Sequence, residues 1–238
     1  MKLTVLGMNG PYPEPGKACS GYLMSVDSAR IAVDLGSGTL SRLTEIIAPE
    51  KLDAILISHW HYDHTSDLLP LIYRLHGANK ILELYAPIDE NSPVRKIIVQ
   101  SGAFHLHDIA CGDSVHIGSC RITVGPACHP VPAVSYRFEA DGKVFVYTGD
   151  TNLTEGLSLI VQGADLLLAD SLFPEDAWSI DKPHLSATLA AKLAAENQVR
   201  QLVITHMDPH FDSMQLLRAA QALFHKTRLA EPGLMIEK

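Results

Sequence analysis

The sequence predicts a protein of the α/β class with substantial antiparallel content. Short apolar segments rich in β-branched residues recur through the first two thirds of the chain, with the length and composition of strands. Two later segments, at 165–170 and 201–206, are almost continuously apolar, which is typical of strands inside a sheet covered on both faces. Helical patterns lie between several of these strands, so the two kinds of element alternate along much of the chain.

The predicted strands before residue 151 follow one another closely. In chain order they are LTVL near the start, RIAVD at 30–34, LDAILIS at 52–58, ILELYA at 81–86, RITV at 121–124, SYRFEA at 135–140 and KVFVYTGD at 143–150. The sequence DGK at 141–143 predicts a tight hairpin between the last two, because Asp-Gly readily adopts the left-handed backbone of such turns.

Four segments have the spacing of apolar residues that is typical of helices. They span 41–47, 67–76, 185–197 and 213–226. Asp67 is placed to cap the second helix, with Pro70 in its first turn, and Asp212 is placed to cap the fourth. The segment 7–21, rich in Gly and Pro, predicts a long loop with either a functional or a purely structural role.

The composition indicates a single folded domain over residues 1–238. With 47% hydrophobic residues the chain has ample material for a core, and no repeat or linker divides it. The net charge of −8 argues against a broad basic surface that would bind long nucleic acids. A local positive site could still hold a small anionic substrate.

The cysteines and the N-terminus indicate the compartment. Cys19, Cys111, Cys120 and Cys128 form no C-x-x-C pair, so we expect them to be reduced and mostly buried. The apolar N-terminal segment is too short for a signal peptide, and no apolar run reaches the roughly 18 residues of a membrane span. We therefore expect a soluble, cytoplasmic protein.

The stretch SHWHYDHTSDL at 58–68 is unusually rich in side chains that bind metals. It follows a predicted buried strand, and α/β proteins usually place their sites at the carboxyl ends of strands. Alternation along an extended chain directs His59 and His61 to one side, and the turn after them can bring Asp63 and His64 to a second, adjacent point. This layout predicts two metals side by side.

Four side chains cannot fill the coordination shells of two metals, so further ligands are expected at the ends of other strands. His129, Asp150 and His206 each follow a predicted strand. Each alone could be an ordinary polar group or a turn former, but their joint occurrence favours metal binding. Imidazole and carboxylate ligands suit Zn²⁺, Mn²⁺ or Fe, and the lack of cysteine ligands argues against a structural zinc site.

The motif H-x-H-x-D-H, followed by a single His, an Asp and a final His, resembles the metallo-β-lactamase superfamily over almost the whole chain. The resemblance implies a four-layer αβ/βα sandwich with two divalent metal ions, for which zinc is the expected metal and manganese the alternative. It also implies how the ligands are shared. The first metal would be held by His59, His61 and His129, and the second by Asp63, His64 and His206, with Asp150 bridging.

The segments 32–43, 129–139 and 205–209 further resemble the RNase Z branch of this superfamily. That branch places an acidic residue and a histidine as a pair beside the metals, and Asp170 and His184 occupy those positions. The resemblance implies catalytic roles for His184 as general acid, for Asp170 as its partner, and for Asp63, which is also a ligand. Without it, the favoured interpretation of His184 is a water-exposed residue at the start of a helix.

These residues predict a metal-dependent hydrolase of small phosphodiesters, such as a cyclic nucleotide or a short oligonucleotide, acting through a metal-bridging hydroxide. Only 21 positions separate His129 from Asp150, which leaves no room for the arm with which tRNase Z enzymes grip tRNA. Processing of tRNA 3′ ends and hydrolysis of a carboxylic ester or lactone are the alternatives, as is a binding protein without turnover. A homodimer is expected from the resemblance alone.

Other polar residues near the motifs have weaker predictions. Asp34 is expected either to support the site or to fix the glycine turn that follows it. His105 and His107 form a second H-x-H, which we expect not to bind metal because no acidic ligand motif follows. Trp60 and Tyr62, between the ligands, are expected either to pack or to line the mouth of the site.

Overall fold

The computed structural model describes all 238 residues, which form fourteen strands and seven α-helices. The strands are β1 (Lys2–Gly7), β2 (Gly21–Val26), β3 (Ala29–Leu35), β4 (Ala54–Leu56), β5 (Leu82–Pro87), β6 (Phe104–Ile109), β7 (Ser114–Ile117), β8 (Cys120–Pro126), β9 (Val134–Ala140), β10 (Lys143–Tyr147), β11 (Leu166–Asp170), β12 (Leu202–Thr205), β13 (Thr227–Leu229) and β14 (Met235–Glu237). The helices are α1 (Thr39–Ile46), α2 (Tyr62–Thr65), α3 (Leu68–Gly77), α4 (Pro93–Ser101), α5 (Leu157–Val161), α6 (Ala187–Glu196) and α7 (Ser213–Leu223).

The strands form two mixed sheets of seven strands each. The first has the order β14-β1-β2-β3-β4-β5-β6, and the second has the order β13-β12-β11-β10-β9-β8-β7. In each sheet one half is antiparallel and the other is parallel: β3 to β6 run parallel in the first, and β10 to β13 in the second. The mixed sheets confirm the predicted α/β class with antiparallel content.

Two hydrophobic cores hold the layers together. The larger core lies between the sheets, where Tyr22 packs with the face of the second sheet that carries Phe138, and it continues under α5, α6 and α7. The smaller core packs α1, α3 and α4 against the outer face of the first sheet, with Leu43 and Leu71 among its buried residues. Helices therefore cover both outer faces of two stacked sheets, which confirms the four-layer αβ/βα sandwich.

Every predicted strand and helix is present, with shifted ends. The turn at Asp141 and Gly142 joins β9 to β10, and both residues have positive φ, as the Asp-Gly sequence predicts. Asp212 caps α7 by accepting a hydrogen bond from the backbone N–H of Met214 at 2.9 Å. Asp67 occupies the N-cap position of α3 as predicted, but its side chain makes no cap bond to that helix, and its carboxylate accepts the N–H of Leu40 instead.

Eight elements are not predicted from the sequence: the strands β2, β6, β7, β13 and β14 and the helices α2, α4 and α5. Strand β6 reads FHLHDI and exposes its histidines, so its apolar residues are too few for a buried-strand pattern. Helix α4 begins at Pro93, and Ser92 caps it by accepting the N–H of Arg95, so its start signals were present in the sequence.

All four cysteines are free thiols, but the prediction that they are mostly buried is wrong for half of them. Cys19 and Cys120 are buried, whereas Cys111 and Cys128 lie in exposed loops. Burial raises the pKa of the Cys19 thiol to about 12, which keeps it protonated and unreactive. None of the helices has the length and apolar character needed to cross a membrane.

One edge of the sandwich collects the carboxyl ends of strands from both sheets. In the first sheet, β4 leads into the segment that contains His59, and in the second sheet β11 ends at Asp170 while β12 leads directly into His206. Two side-chain bonds join the sheets near this edge: the hydroxyl of Tyr22 lies 2.6 Å from Oγ1 of Thr205, and the hydroxyl of Tyr136 donates to the carbonyl of Ile57 at 2.7 Å.

Candidate metal centre

Three imidazoles converge at the end of β4. Nε2 of His59 and Nε2 of His129 lie 3.0 and 3.1 Å from Nδ1 of His61. One nitrogen from each ring lies within 4.8 Å of the other two, which is the spacing of ligands around a single metal ion. These are the three side chains predicted for the first metal.

A second group of four side chains lies beside the first. Asp63, His64, Asp150 and His206 also bring one ligand atom each within 4.8 Å of the others. Oδ2 of Asp150 lies 3.2 Å from Nε2 of His64 and 3.1 Å from Nε2 of His206. The same oxygen lies 3.6 Å from Nε2 of His59, so Asp150 stands between the two groups.

Asp34 fixes the orientation of His64 from the Nδ1 side of the ring, away from Asp63 and Asp150. Its fully buried carboxylate accepts hydrogen bonds from Ser58, from the hydroxyl of Tyr147 at 2.8 Å, and from Nδ1 of His64 at 2.8 Å. A proton held on Nδ1 leaves the lone pair of His64 on Nε2, the nitrogen that faces Asp63 and Asp150. Of the two roles predicted for Asp34, the geometry favours support of the site.

The loop before β2 fixes His206. Nδ1 of His206 lies 2.9 Å from the hydroxyl of Ser20, and its ring lies directly against Gly10. A Cβ at position 10 would lie 2.1 Å from Cε1 of this ring, so only glycine allows the contact. The loop predicted at 7–21 therefore forms one wall of the site.

Backbone conformation also aims the side chains. Asp34 and His206 have φ values of 53° and 54°, in the left-handed region that residues other than glycine seldom adopt. Strain of this kind persists only where the surroundings hold it, and it concentrates at functional sites. The sequence gives no signal for these two conformations.

The charges around the site favour bound cations. Burial lowers the pKa of His59 and of His206 well below the usual value, and that of His129 to about 4, so these rings are neutral, as metal ligands must be. Burial opposes a charge on His64 as well, yet Asp150 and Asp63 together with Asp34 raise its pKa well above the usual value. The carboxylates therefore require positive charge at this point.

The residues present fit two divalent ions. Nε2 of His64 and Oδ1 of Asp150 are buried without a hydrogen-bond partner, although buried polar atoms almost always have one. Both atoms belong to the second group, where a cation would satisfy them. Nitrogen and carboxylate donors without thiolates suit zinc or manganese and do not choose between them.

His184 and Asp170 form a pair beside both groups. Nδ1 of His184 lies 2.8 Å from Oδ2 of Asp170, and its ring lies 5.1 Å from that of His129 and 5.2 Å from that of His206, centre to centre. Although burial alone would lower it, the Asp170 carboxylate raises the pKa of His184 to about 9. The indole N–H of Trp178 donates to the carbonyl of His184 at 2.9 Å and holds this segment in place.

The remaining sequence candidates lie around this cluster or away from it. Trp60 is buried and donates its indole N–H to the carbonyl of Pro87, whereas Tyr62 is exposed at the surface beside His61. His105 and His107 are exposed and pair with Glu83 on the neighbouring strand, outside the groups of potential ligands. Four further side chains support the site without any signal in the sequence: Ser20, Ser58, Tyr147 and Trp178.

Fold and site together define a protein of the metallo-hydrolase class, with a two-sheet sandwich that carries a His- and Asp-rich centre at one edge. Comparison with known families agrees: residues 30–207 match the model of the β-lactamase superfamily domain. The chain belongs to this superfamily.

Similar proteins cover the whole chain. It is 30% identical over 247 residues to the probable metallo-hydrolase YhfI of Bacillus subtilis, with 100% of both chains covered. It is 27% identical over 271 residues to a ribonuclease Z of Methanopyrus kandleri, covering 97% of this chain and 95% of that protein. The crystal structure of YhfI, a metallo-β-lactamase fold protein, superposes with a TM-score of 0.92 at 26% identity, covering 100% of this chain and 98% of YhfI. That of the short form of human tRNase Z superposes with a TM-score of 0.81 at 18% identity, covering 100% of this chain and 99% of that protein, and supports the fold alone.

Proposed function

We propose that this protein is a phosphodiesterase with two divalent metal ions, zinc first among them, that acts on a small phosphodiester such as a cyclic nucleotide or a short oligonucleotide. The observation that carries the proposal is the buried pair of His184 and Asp170, placed against the ligand rings of His129 and His206. A histidine held in this way can donate a proton to a poor leaving group.

The two groups of ligands assign the side chains to two ions. His59, His61 and His129 would hold one ion; Asp63, His64 and His206 would hold the other, with Asp150 shared between them. Two ions in these positions would supply positive charge that attracts an anionic phosphodiester and stabilises the charge that develops on its oxygens.

The proton that the leaving group needs would come from a side chain of the protein. An alkoxide that leaves phosphorus must be protonated, and His184 has the Nδ1 proton held by Asp170, so Nε2 is the nitrogen that delivers a proton to the leaving oxygen. The backbone N–H of Thr151 also donates to Oδ2 of Asp170, at 3.1 Å, and keeps the carboxylate in place. A carboxylic ester with a good leaving group does not need this pair, which favours a phosphodiester.

A second candidate is tRNA 3′-end processing, because a ribonuclease Z is among the relatives and covers 97% of the chain. The segment between His129 and Asp150 argues against it. It consists of the hairpin of β9 and β10, paired from Tyr136 with Tyr147 to Ala140 with Lys143, and has no protruding arm. We therefore favour a small substrate over precursor tRNA.

The test compares substrates and one variant. The zinc- or manganese-loaded protein should hydrolyse bis-p-nitrophenyl phosphate and cyclic 2′,3′-nucleotides faster than lactones or precursor tRNA. His184→Ala should lose about 10²–10⁴-fold in kcat, the usual contribution of a general acid, while binding the same number of metals by elemental analysis. His107→Ala, which removes an exposed histidine away from the site, is the matched control and should keep wild-type kcat.

Two results would contradict the proposal. Preferred hydrolysis of a lactone or thioester would place the protein among the ester hydrolases of the superfamily. Full activity of His184→Ala on phosphodiesters would remove the general acid from the mechanism.

A further inference from the structure

A cavity of about 280 Å³ opens beside His61, one of the proposed ligands of the first metal. It lies between the segment that follows β4 and the turn before α4, and Tyr62, Asp89, Asn91 and Val131 are among its lining residues. Of the proposed metal ligands, only His61 lines this cavity. Its Nδ1 lies 3.1 Å from Nε2 of His129, and the His129 ring packs on that of His184, so the cavity borders the proposed metal site through the His61 ring.

The cavity has a charge opposite to what a phosphate requires. None of its lining residues is Lys or Arg, and its carboxylate, Asp89, is only 8% exposed. Oδ1 of Asp89 accepts the backbone N–H of Asn91 at 3.0 Å, which fixes the carboxylate in a tight turn. A buried acid at this position repels the phosphate and selects for a part of the substrate that offers hydrogen-bond donors.

The other walls favour a flat, largely apolar group. Tyr62 is 63% exposed, so its ring is free to pack against a ligand, and Val131 adds an apolar surface. The volume lies just below the roughly 300–1,000 Å³ of small-molecule sites, which suits one ring system and not a folded polymer. A cationic group would meet Asp89 favourably, but it would be repelled by two divalent ions beside His61.

We propose that this cavity is a nucleobase subsite in which the base packs against Tyr62 and Val131 and its exocyclic amino group donates to Asp89. The inference rests on the proposed phosphodiesterase function and names its substrate class: nucleotides whose base carries an amino group. Asp89 is then a specificity-determining residue, and it takes no part in the chemical step.

The experiment compares two 3′,5′-cyclic nucleotides that differ in one group, one with adenine and one with purine lacking the 6-amino group. Wild-type protein should prefer the adenine nucleotide by about tenfold in kcat/KM, the lower range for a hydrogen bond to a charged acceptor. Asp89→Asn keeps an oxygen for the N–H of Asn91 and turns an NH₂ group toward the base, so this preference should disappear.

A binding measurement gives a readout independent of turnover. The Kd of adenosine monophosphate, measured by calorimetry, should rise about tenfold in Asp89→Asn. Glu90→Gln is the matched control, because Glu90 is the neighbouring acid, is exposed and lies outside the cavity lining; its preference and its Kd should equal those of the wild type. Tyr62→Ala should weaken both nucleotides alike, and Tyr73→Ala, an exposed tyrosine on α3, should weaken neither.

The outcomes separate the subsite from the proposed function. If wild-type protein fails to hydrolyse bis-p-nitrophenyl phosphate, which has no base, the phosphodiesterase proposal itself fails. If it hydrolyses that substrate but shows the same nucleotide preference with and without the Asp89 carboxylate, the subsite is wrong. A third substrate, p-nitrophenyl phosphocholine, carries a cationic group in place of a base. If Asp89→Asn lost kcat/KM on this substrate alone, the subsite would also be wrong, since the cavity would then select a cation.

Discussion

Replacing Asp34 with asparagine tests how the site controls the protonation of His64, one of the proposed metal ligands. Oδ1 of Asp34 accepts the backbone N–H of Ser58 at 2.7 Å, and Oδ2 accepts the Ser58 hydroxyl, the Tyr147 hydroxyl and Nδ1 of His64, each at 2.8 Å. Asparagine has nearly the same shape, and it tolerates the left-handed backbone at this position, where φ is 53°. The variant therefore changes hydrogen bonding with little change in shape or strain.

The change in the protonation of His64 depends on which of the groups that donate to Asp34 can reorient and accept a hydrogen bond instead. The backbone N–H of Ser58 is fixed, so the amide oxygen of the introduced asparagine must stay toward it, and the NH₂ group then faces the other three donors. The two hydroxyls can rotate and accept. His64 can accept at Nδ1 only if its proton moves to Nε2, the nitrogen that is buried without a partner and faces Asp150.

The expected loss in metal affinity is large enough to measure. Partners that orient a metal-binding histidine typically contribute 10- to 100-fold to affinity, which corresponds to about 1.4–2.7 kcal/mol. Zinc affinity is measured by competition with a chromophoric chelator. Asp53→Asn is the matched control: Asp53 also accepts a backbone N–H, from Arg30 at 2.7 Å, but it is exposed and outside the site. A folded Asp34→Asn protein with wild-type zinc affinity would refute the reasoning.

Two further substitutions test a wall of the site and a helix cap. Gly10→Ala places a Cβ 2.1 Å from Cε1 of His206, so this ring must move. Zinc affinity, measured in the same competition assay, should therefore fall at least tenfold. An unchanged affinity would show that the backbone of the loop moves and the ring does not. Asp212→Ala removes the acceptor for the N–H of Met214. The free energy of unfolding, measured by urea denaturation, should fall by about 1 kcal/mol, while zinc affinity should not change. Equal stability of the variant and the wild type would show that water replaces the cap.

Local patterns in the sequence predict many of the strands and helices and the proposed ligands, but not the side chains that orient those ligands. H-x-H-x-D-H lies within six positions, and each remaining proposed ligand follows an apolar strand, so one-dimensional spacing is enough to mark these residues as candidates. Ser20 and Tyr147 are different, because their contacts join positions 186 and 113 residues apart and depend on how the sheets stack. Asp89 has no motif around it, and only the cavity that it lines indicates a role in binding substrate.

The contacts behind the ligands also connect the site to the fold as a whole. Asp34 lies at the end of β3 in the first sheet and Tyr147 ends β10 of the second, so the bond between them exists only when the sheets are stacked. The bond between Tyr22 and Thr205 joins the same two sheets one residue before His206. Since ions held by these proposed ligands would bind the folded protein in preference to the unfolded chain, their binding free energy would add to the stability of the stacked sheets. The metal centre thus depends on the contact between the sheets, and occupation of the centre reinforces that contact.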